Sequence, residues 1–259
     1  MEIERIAGAI CAVSPSAMIY SKSMPKLIKE LSIFLPCYNE AKNLPKTVKN
    51  VTENADRVAE KWELLLVNDG SKDDTLALSE RLAGKNKHIK IINHPVNRGY
   101  GASLKSGLYH AKYAWITFID ADGQFNFAEI DTFIKTQQST GADLVIGYYR
   151  KRQVAFTRKL NTLAWQTVVF LLFGLRARDI DCGFKLISKN VIDKIPRLES
   201  ERGAFISSEF LIKAGKHHFK IVEIPVHHFP RRQGVGTGAN IDVIIKSFID
   251  LFRLWKKLR

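Results

Sequence analysis

The chain has 259 residues, 46% of them apolar, which suits one large α/β domain with a sizeable core, or one domain with an appendage. Its 40 Lys and Arg against 26 Asp and Glu give a net charge of +14, which favours anionic partners: nucleic acid, an acidic membrane or phosphorylated ligands. The three cysteines, Cys11, Cys37 and Cys182, lie far apart without CxxC or zinc spacing, which indicates neither a disulfide framework nor a cysteine metal cluster and fits a reduced, cytoplasmic setting.

Residues 1–30 lack the basic-then-apolar order of a secretory signal and read as an N-terminal extension. Residues 31–35 read as a strand. Residues 42–60 read as a helix, with Leu44, Val48, Val51, Ala55 and Val58 on one face. A second strand, 64–67, runs into Asn68-Asp69-Gly70-Ser71. A helix at 74–83 follows, with Asp73 or Asp74 as its N-cap. Strand 89–92, helix 101–111, strand 115–119, helix 127–140 and strand 144–146 complete an alternation that implies a mostly parallel sheet with right-handed crossovers. Beyond Arg150 come a long apolar helix at 154–173, an irregular stretch at 179–185, a helix near 208–214 and a strand at 221–226. A basic, glycine-rich loop at 231–238 then leads into a final helix. Ser207 or Ser208 is positioned to cap the 208–214 helix. The most apolar run, 160–175, is broken by Asn161, Thr162, Gln166 and Thr167, short of the ~18 apolar residues a spanning helix needs.

In open α/β sheets, ligands bind beyond the carboxyl ends of the strands. The polar clusters fall there: Pro36, Tyr38, Asn39 and Glu40 after the first strand, Asp69 after the second, Asn97, Arg98 and Gly99 after the third, Asp120, Asp122 and Gln124 after the fourth, and Arg150 and Arg152 after the fifth. The sharpest is Asp120-Ala-Asp122-Gly-Gln124. Two carboxylates two residues apart at a strand end can share one hard cation, Mg²⁺ or Mn²⁺, that bridges to substrate phosphates, with Gln124 as a third oxygen donor. The position of a dinucleotide fingerprint reads Leu-Pro-Cys-Tyr-Asn-Glu, without glycine, and no Walker A pattern is present.

The segments at 35–40, 67–71, 97–101 and 120–124 together resemble family 2 glycosyltransferases, and Asp179-Ile-Asp-Cys-Gly-Phe-Lys185 resembles the dolichol-phosphate mannosyltransferase branch, which makes polyprenyl-phosphate sugars. The resemblance covers about residues 31–238. It implies an α/β GT-A nucleotide-diphospho-sugar transferase fold over 31–238, followed by a basic amphipathic C-terminal helix at 239–259. Pro36, Tyr38 and Glu40 would hold the nucleobase, Asp69 the nucleoside, with Asn97 and Gly99 also lining the donor site. Asp120, Asp122 and Gln124 would hold Mg²⁺ or Mn²⁺ on the diphosphate. Arg150, Arg158 and Arg231 match basic positions for a lipid phosphate, and Asp179 matches the branch motif. The branch's Gly-x-Ser-Lys element is replaced by Gly234-Val-Gly-Thr-Gly238, which lacks the serine and the lysine and in which Thr237 would substitute for the hydroxyl.

The implied reaction is inverting transfer of a hexose from a nucleotide-diphosphate sugar (GDP-mannose or UDP-glucose type) to a polyprenyl or dolichyl phosphate. Asp122, Arg150, Arg158 and Asp179 would carry the chemistry. Transfer to a saccharide hydroxyl is the alternative, and it requires a base, with Asp179, Asp181 or Glu209 as candidates. A non-catalytic nucleotide- or membrane-binding module is disfavoured by the intact carboxylate pair. Nucleic acid is disfavoured because no basic stripe with stacking aromatics is seen.

The last helix places Ile241, Ile244, Ile245, Phe248, Leu251, Phe252, Trp255 and Leu258 at helical spacing, with Lys246, Arg253, Lys256, Lys257 and Arg259 beside them. Such a helix either lies in a membrane interface or packs on its own core. The helix at 154–173 poses the same choice. The expectation is a peripheral protein on the cytoplasmic face of the membrane, with a separate membrane-spanning partner left open.

Overall fold

Strand β1 (Ile28–Cys37) is buried without interruption from Leu31 to Cys37, as expected of a central strand covered on both faces. The computed structural model describes residues 25–150, 156–201, 203, 205–230 and 241–258, with the side chains of 156–162 and 241–246 left out of the description. Helix α1 (Leu44–Val58) passes without a loop into β2 (Ala59–Asp69), and α2 (Thr75–Lys85), β3 (Ile89–His94), α3 (Tyr100–His110) and β4 (Trp115–Phe118) continue the alternation. A short 3₁₀ turn at Phe127–Glu129 precedes α4 (Ile130–Thr140), then β5 (Leu144–Tyr149) and α5 (Phe156–Phe173). Next come β6 (Lys185–Ser188), α6 (Lys189–Lys194), α7 (Phe205–Lys216), β7 (Ile221–Val226) and α8 (Ile241–Lys257).

The seven strands form one sheet in the order β3-β2-β1-β4-β6-β5-β7. All neighbours run parallel except β6, which is antiparallel to both β4 and β5. Residues 179–185 are therefore only partly irregular: Lys185 opens a four-residue strand inside the sheet. Helix α6 was likewise unanticipated, and β2 begins at Ala59 rather than residue 64.

Alternate β1 residues enter two cores. Leu31, Ile33, Leu35 and Cys37 pack with α1 and α4, whereas Phe34 packs with α3, α7 and α8. Phe34 stacks on Phe118 at 5.0 Å. Gly107 lets α3 approach this ring, since a β-carbon there would lie 2.2 Å from it.

Helices α5 and α8 each have a buried and an exposed apolar face. Val169, Leu251 and Leu254 are buried. Trp165 meets Phe248 edge-on at 5.0 Å and donates from Nε1 to Ser208 Oγ. Leu163, Phe170 and Leu171 on α5, and Phe248, Ile249 and Phe252 on α8, are exposed. Among the described residues, no helix is long and apolar enough to cross a membrane.

Candidate active site

The loops after β1 and β2 are stitched together. Asn39, at φ 57°, uses a conformation that Asn tolerates better than most residues. Its N–H donates to Ser71 Oγ at 3.0 Å, and its side-chain oxygen accepts from Lys72 N at 2.7 Å. Glu40 is buried, accepts from Asn43 Nδ2 at 2.8 Å, and donates its N–H to Thr75 Oγ1 at 2.9 Å. Asp74 holds the N-cap position of α2 without a side-chain cap. Asp73 does the bonding instead, accepting from Thr75 N at 3.0 Å and Ala41 N at 3.1 Å. Tyr38 stays exposed beside them.

Asp69, expected on a nucleoside, is turned into the protein. Its carboxylate accepts from Arg98 N at 2.9 Å and Gly99 N at 2.8 Å and pairs with His94 Nδ1 at 2.7 Å. His94 Nε2 lies 2.8 Å from Ser106 Oγ. Asn97 Nδ2 donates to the Asp69 carbonyl at 3.2 Å. Asp69 thus shapes the 97–99 loop. Gly70, at φ 62°, must be glycine, because a β-carbon there would stand 2.4 Å from the backbone of Val96 and Asn97.

Beyond β4, Tyr100 donates its hydroxyl to Asp120 Oδ1 at 2.9 Å, and Asp122 Oδ1 accepts from Gln124 N at 3.0 Å. Burial first, then Asp122, pushes the Asp120 carboxyl up to about 7, with Glu40 adding to the repulsion and Tyr100 and Lys185 opposing it. Gln124 donates from Nε2 to Phe229 O at 2.9 Å, which leaves the amide oxygen as the group it has to offer. Gly123, at φ 75°, makes the turn.

The 179–184 segment closes on this turn from the other side. Asp179 is buried and accepts from Asp181 N at 3.2 Å. Gly183 lies against the Asp120 carboxylate. Lys185 is fully buried, and burial holds its ammonium below the usual lysine range, against the opposing pull of Cys182, Asp181, Asp179 and Asp120. Neither Tyr100 nor Lys185 was singled out as a site residue in the sequence. Their only signals were their places within the 97–101 and 179–185 segments.

This donor set suits a hard cation. Two mutually repelling carboxylates do not close a coordination shell, and among the described residues no group of three or more His, Cys, Asp or Glu side chains does so. Such a pair leaves room for diphosphate and water oxygens.

The remaining expected residues are not all brought together. Arg150 follows β5, donating its N–H to Val226 O at 3.1 Å with its side chain exposed. Arg158 lies in α5, but its side chain is outside the described residues, as are Arg152, Arg231 and the 234–238 loop. Glu209, a candidate base, is consumed by the fold: its carboxylate accepts from Glu199 N, Ser200 N, Ser200 Oγ and Lys213 Nζ at 2.6–2.9 Å. Ser207 and Ser208 are not caps, since α7 already begins at Phe205. A cleft of about 550 Å³ beside α5 is lined by Gln166, Phe170, Leu175, Arg176, Arg178 and Glu223.

A parallel sheet with an inserted antiparallel strand and a carboxylate pair at its carboxyl edge is the α/β architecture of the GT-A fold. The fold resembles glucosyl-3-phosphoglycerate synthase from Mycobacterium tuberculosis, solved with Mn²⁺, uridine diphosphate and phosphoglyceric acid, at a TM-score of 0.66 and 17% identity over 88% of this chain and 78% of that one. The profile of glycosyl transferase family 2 matches residues 32–195, and the chain belongs to that family. It is 30% identical over 236 residues to dolichyl-phosphate beta-glucosyltransferase ALG5A of Trichomonas vaginalis, covering 86% of this chain and 72% of that protein. It is also 30% identical over 209 residues to the undecaprenyl-phosphate 4-deoxy-4-formamido-L-arabinose transferase of Salmonella choleraesuis, covering 80% and 62%.

Proposed function

We propose that this glycosyltransferase moves a hexose from a nucleotide-diphosphate sugar to a polyprenyl phosphate at the cytoplasmic face of a membrane. The observation that carries the reading is the meeting of the Asp120–Asp122 turn with the Asp179–Gly183 segment at the carboxyl edge of the sheet. The names of the two relatives, both polyprenyl-phosphate sugar transferases, support the acceptor.

Asp120, Asp122 and the Gln124 amide oxygen would hold Mg²⁺ or Mn²⁺, which supplies positive charge to the departing diphosphate. The 36–40 and 97–99 loops form the walls of the nucleotide site, with Asp69 bracing the second. A phosphate oxygen of the acceptor attacks the anomeric carbon, the bond to the diphosphate breaks, and the configuration inverts. A phosphate monoester with a second pKa near ~6 is already largely dianionic at neutral pH, so no base is required. The difficulty is charge: each pair of unit charges ~4 Å apart costs about 4 kcal/mol at an effective dielectric of 20. Arg150, with Arg158 and Arg231, would offset it on the acceptor side.

The exposed apolar residues of α5 and α8, flanked by Arg253, Lys256 and Lys257, form the face that meets the bilayer. Each basic residue near an anionic surface adds about 1 kcal/mol.

The test is transfer with Mn²⁺, a panel of radiolabelled nucleotide sugars and a short polyprenyl phosphate. Label entering the organic phase from one donor is the expected result and identifies the nucleobase. Donor-dependent nucleotide release without lipid labelling overturns the acceptor and leaves a hydroxyl acceptor with Asp179 or Asp181 as base.

A further inference from the structure

Lys185 has no part in the transfer chemistry, yet it occupies the centre of the site. It opens β6 with a side chain only 1% exposed. Its Nζ donates to the carbonyl oxygens of Ile180, at 3.2 Å, and Cys182. The Phe118 ring centroid lies 5.5 Å away, within cation–π range. Asp179, Asp181 and Asp120 act on the ammonium through space, but both of its hydrogen bonds go to backbone. Burying an ammonium is costly, and a neutral side chain of similar length would fill the same volume. What the cation adds is a grip on alternate carbonyls. The segment between them includes Asp181, whose N–H bonds Asp179, and leads to Gly183, which touches the Asp120 carboxylate.

We propose that Lys185 is a positioning residue: its ammonium gathers the Ile180 and Cys182 carbonyls into one turn and thereby sets Asp179, Asp181 and Gly183 at their working distance from Asp120. The consequence for catalysis rests on the function proposed above. The geometric part does not.

Two variants of the full chain test it, Lys185→Met, which keeps volume without donors, and Lys185→Arg, which keeps charge and donors. Cys182 and Cys37 are both buried, 0% and 1% exposed, but only Cys182 lies in the gripped turn. Alkylation by iodoacetamide, read per cysteine by mass spectrometry of peptides, therefore separates local release from unfolding. In Lys185→Met, Cys182 labelling should rise by about tenfold while Cys37 stays protected, with Lys185→Arg in between. The turnover number should fall about 100-fold in Lys185→Met, the cost of roughly 1 Å of misplacement. The donor KM should stay within about threefold, since the nucleotide loops are untouched. Cys182 remaining protected in Lys185→Met overturns the proposal, as does a joint rise of Cys182 and Cys37, which would make Lys185 a general stabiliser. Selective Cys182 labelling in Lys185→Met, with the wild-type chain transferring nothing to polyprenyl phosphate, would uphold the positioning role and overturn the acceptor.

Discussion

Gly183 sits so close to Asp120 that a β-carbon at position 183 would stand 2.4 Å from Asp120 Oδ2 and 2.9 Å from its Cγ. Backbone and carboxylate approach so closely that an added methyl forces one of them to shift. Gly183→Ala should displace the Asp120 carboxylate and weaken Mn²⁺ binding. The expected loss of turnover is on the order of 100-fold. Electron paramagnetic titration of free Mn²⁺ measures the binding, and unchanged affinity would mean that the segment gives way instead.

Asp122→Ala should abolish metal-dependent transfer while preserving the fold. Asp122 is among the causes that push Asp120 up to about 7. Its removal relieves that repulsion but also takes away the acceptor for Gln124 N, so the thermal midpoint should stay within a few degrees. A drop of several degrees in a circular dichroism melt would assign Asp122 a structural role.

Glu209→Ala leaves Lys213, 1% exposed, without its buried carboxylate partner at 2.6 Å. Breaking a buried pair from one side costs about 3–5 kcal/mol. Urea unfolding should register most of that, and Glu209→Gln should lose less. The pH profile of turnover in Glu209→Gln should match wild type; loss of its acidic limb would restore Glu209 as a candidate base.

Glu63 contributes to acid stability. Burial raises its carboxyl pKa, but the N–H of Lys112, the Ser32 hydroxyl and Lys90 outweigh that and hold it below the usual range. A lowered folded value contributes stability that is fully present above the unfolded pKa of about 4.3 and is lost as pH falls through the folded value. Glu63→Gln should therefore be less stable than wild type at neutral pH and converge on it below about pH 4. Curves still parallel well below that pH, in denaturant melts, would contradict the assignment.

Ile249 and Phe252 are 46% and 49% exposed on α8. The double change Ile249→Glu and Phe252→Glu should reduce sedimentation with acidic liposomes by at least about tenfold, since each buried apolar side chain contributes roughly 1.5–3 kcal/mol. Transfer to a short acceptor in detergent should persist. Unchanged liposome binding would place the membrane contact elsewhere.

The alternation of strands and helices up to residue 149 was legible because buried parallel strands write unbroken apolar runs, as in Leu31 to Leu35. The carboxylate pair was legible from its place after β4. Strand β6 was not, because four residues opening with a lysine carry no periodic signal, and only pairing with β4 and β5 defines it. The direction of Asp69 was also hidden: a carboxylate after a strand reads as a ligand group until the loop amides that claim it are placed. Glu209 misleads in the same way, since its partners at 199 and 200 are ten and nine residues distant.

The reversed direction of β6 divides the labour of the site along the chain. The parallel strands β1 to β4 deliver the segments that follow them, all within the first 124 residues, whereas β6 delivers the segment that precedes it. On the proposed function, one half of the sequence would thus shape the pocket for the leaving nucleotide, and the other half would supply the opposite wall. Substitutions from Arg150 onward would then retune what receives the sugar while what donates it stays fixed, so a change of acceptor would require rewriting only one half of the chain.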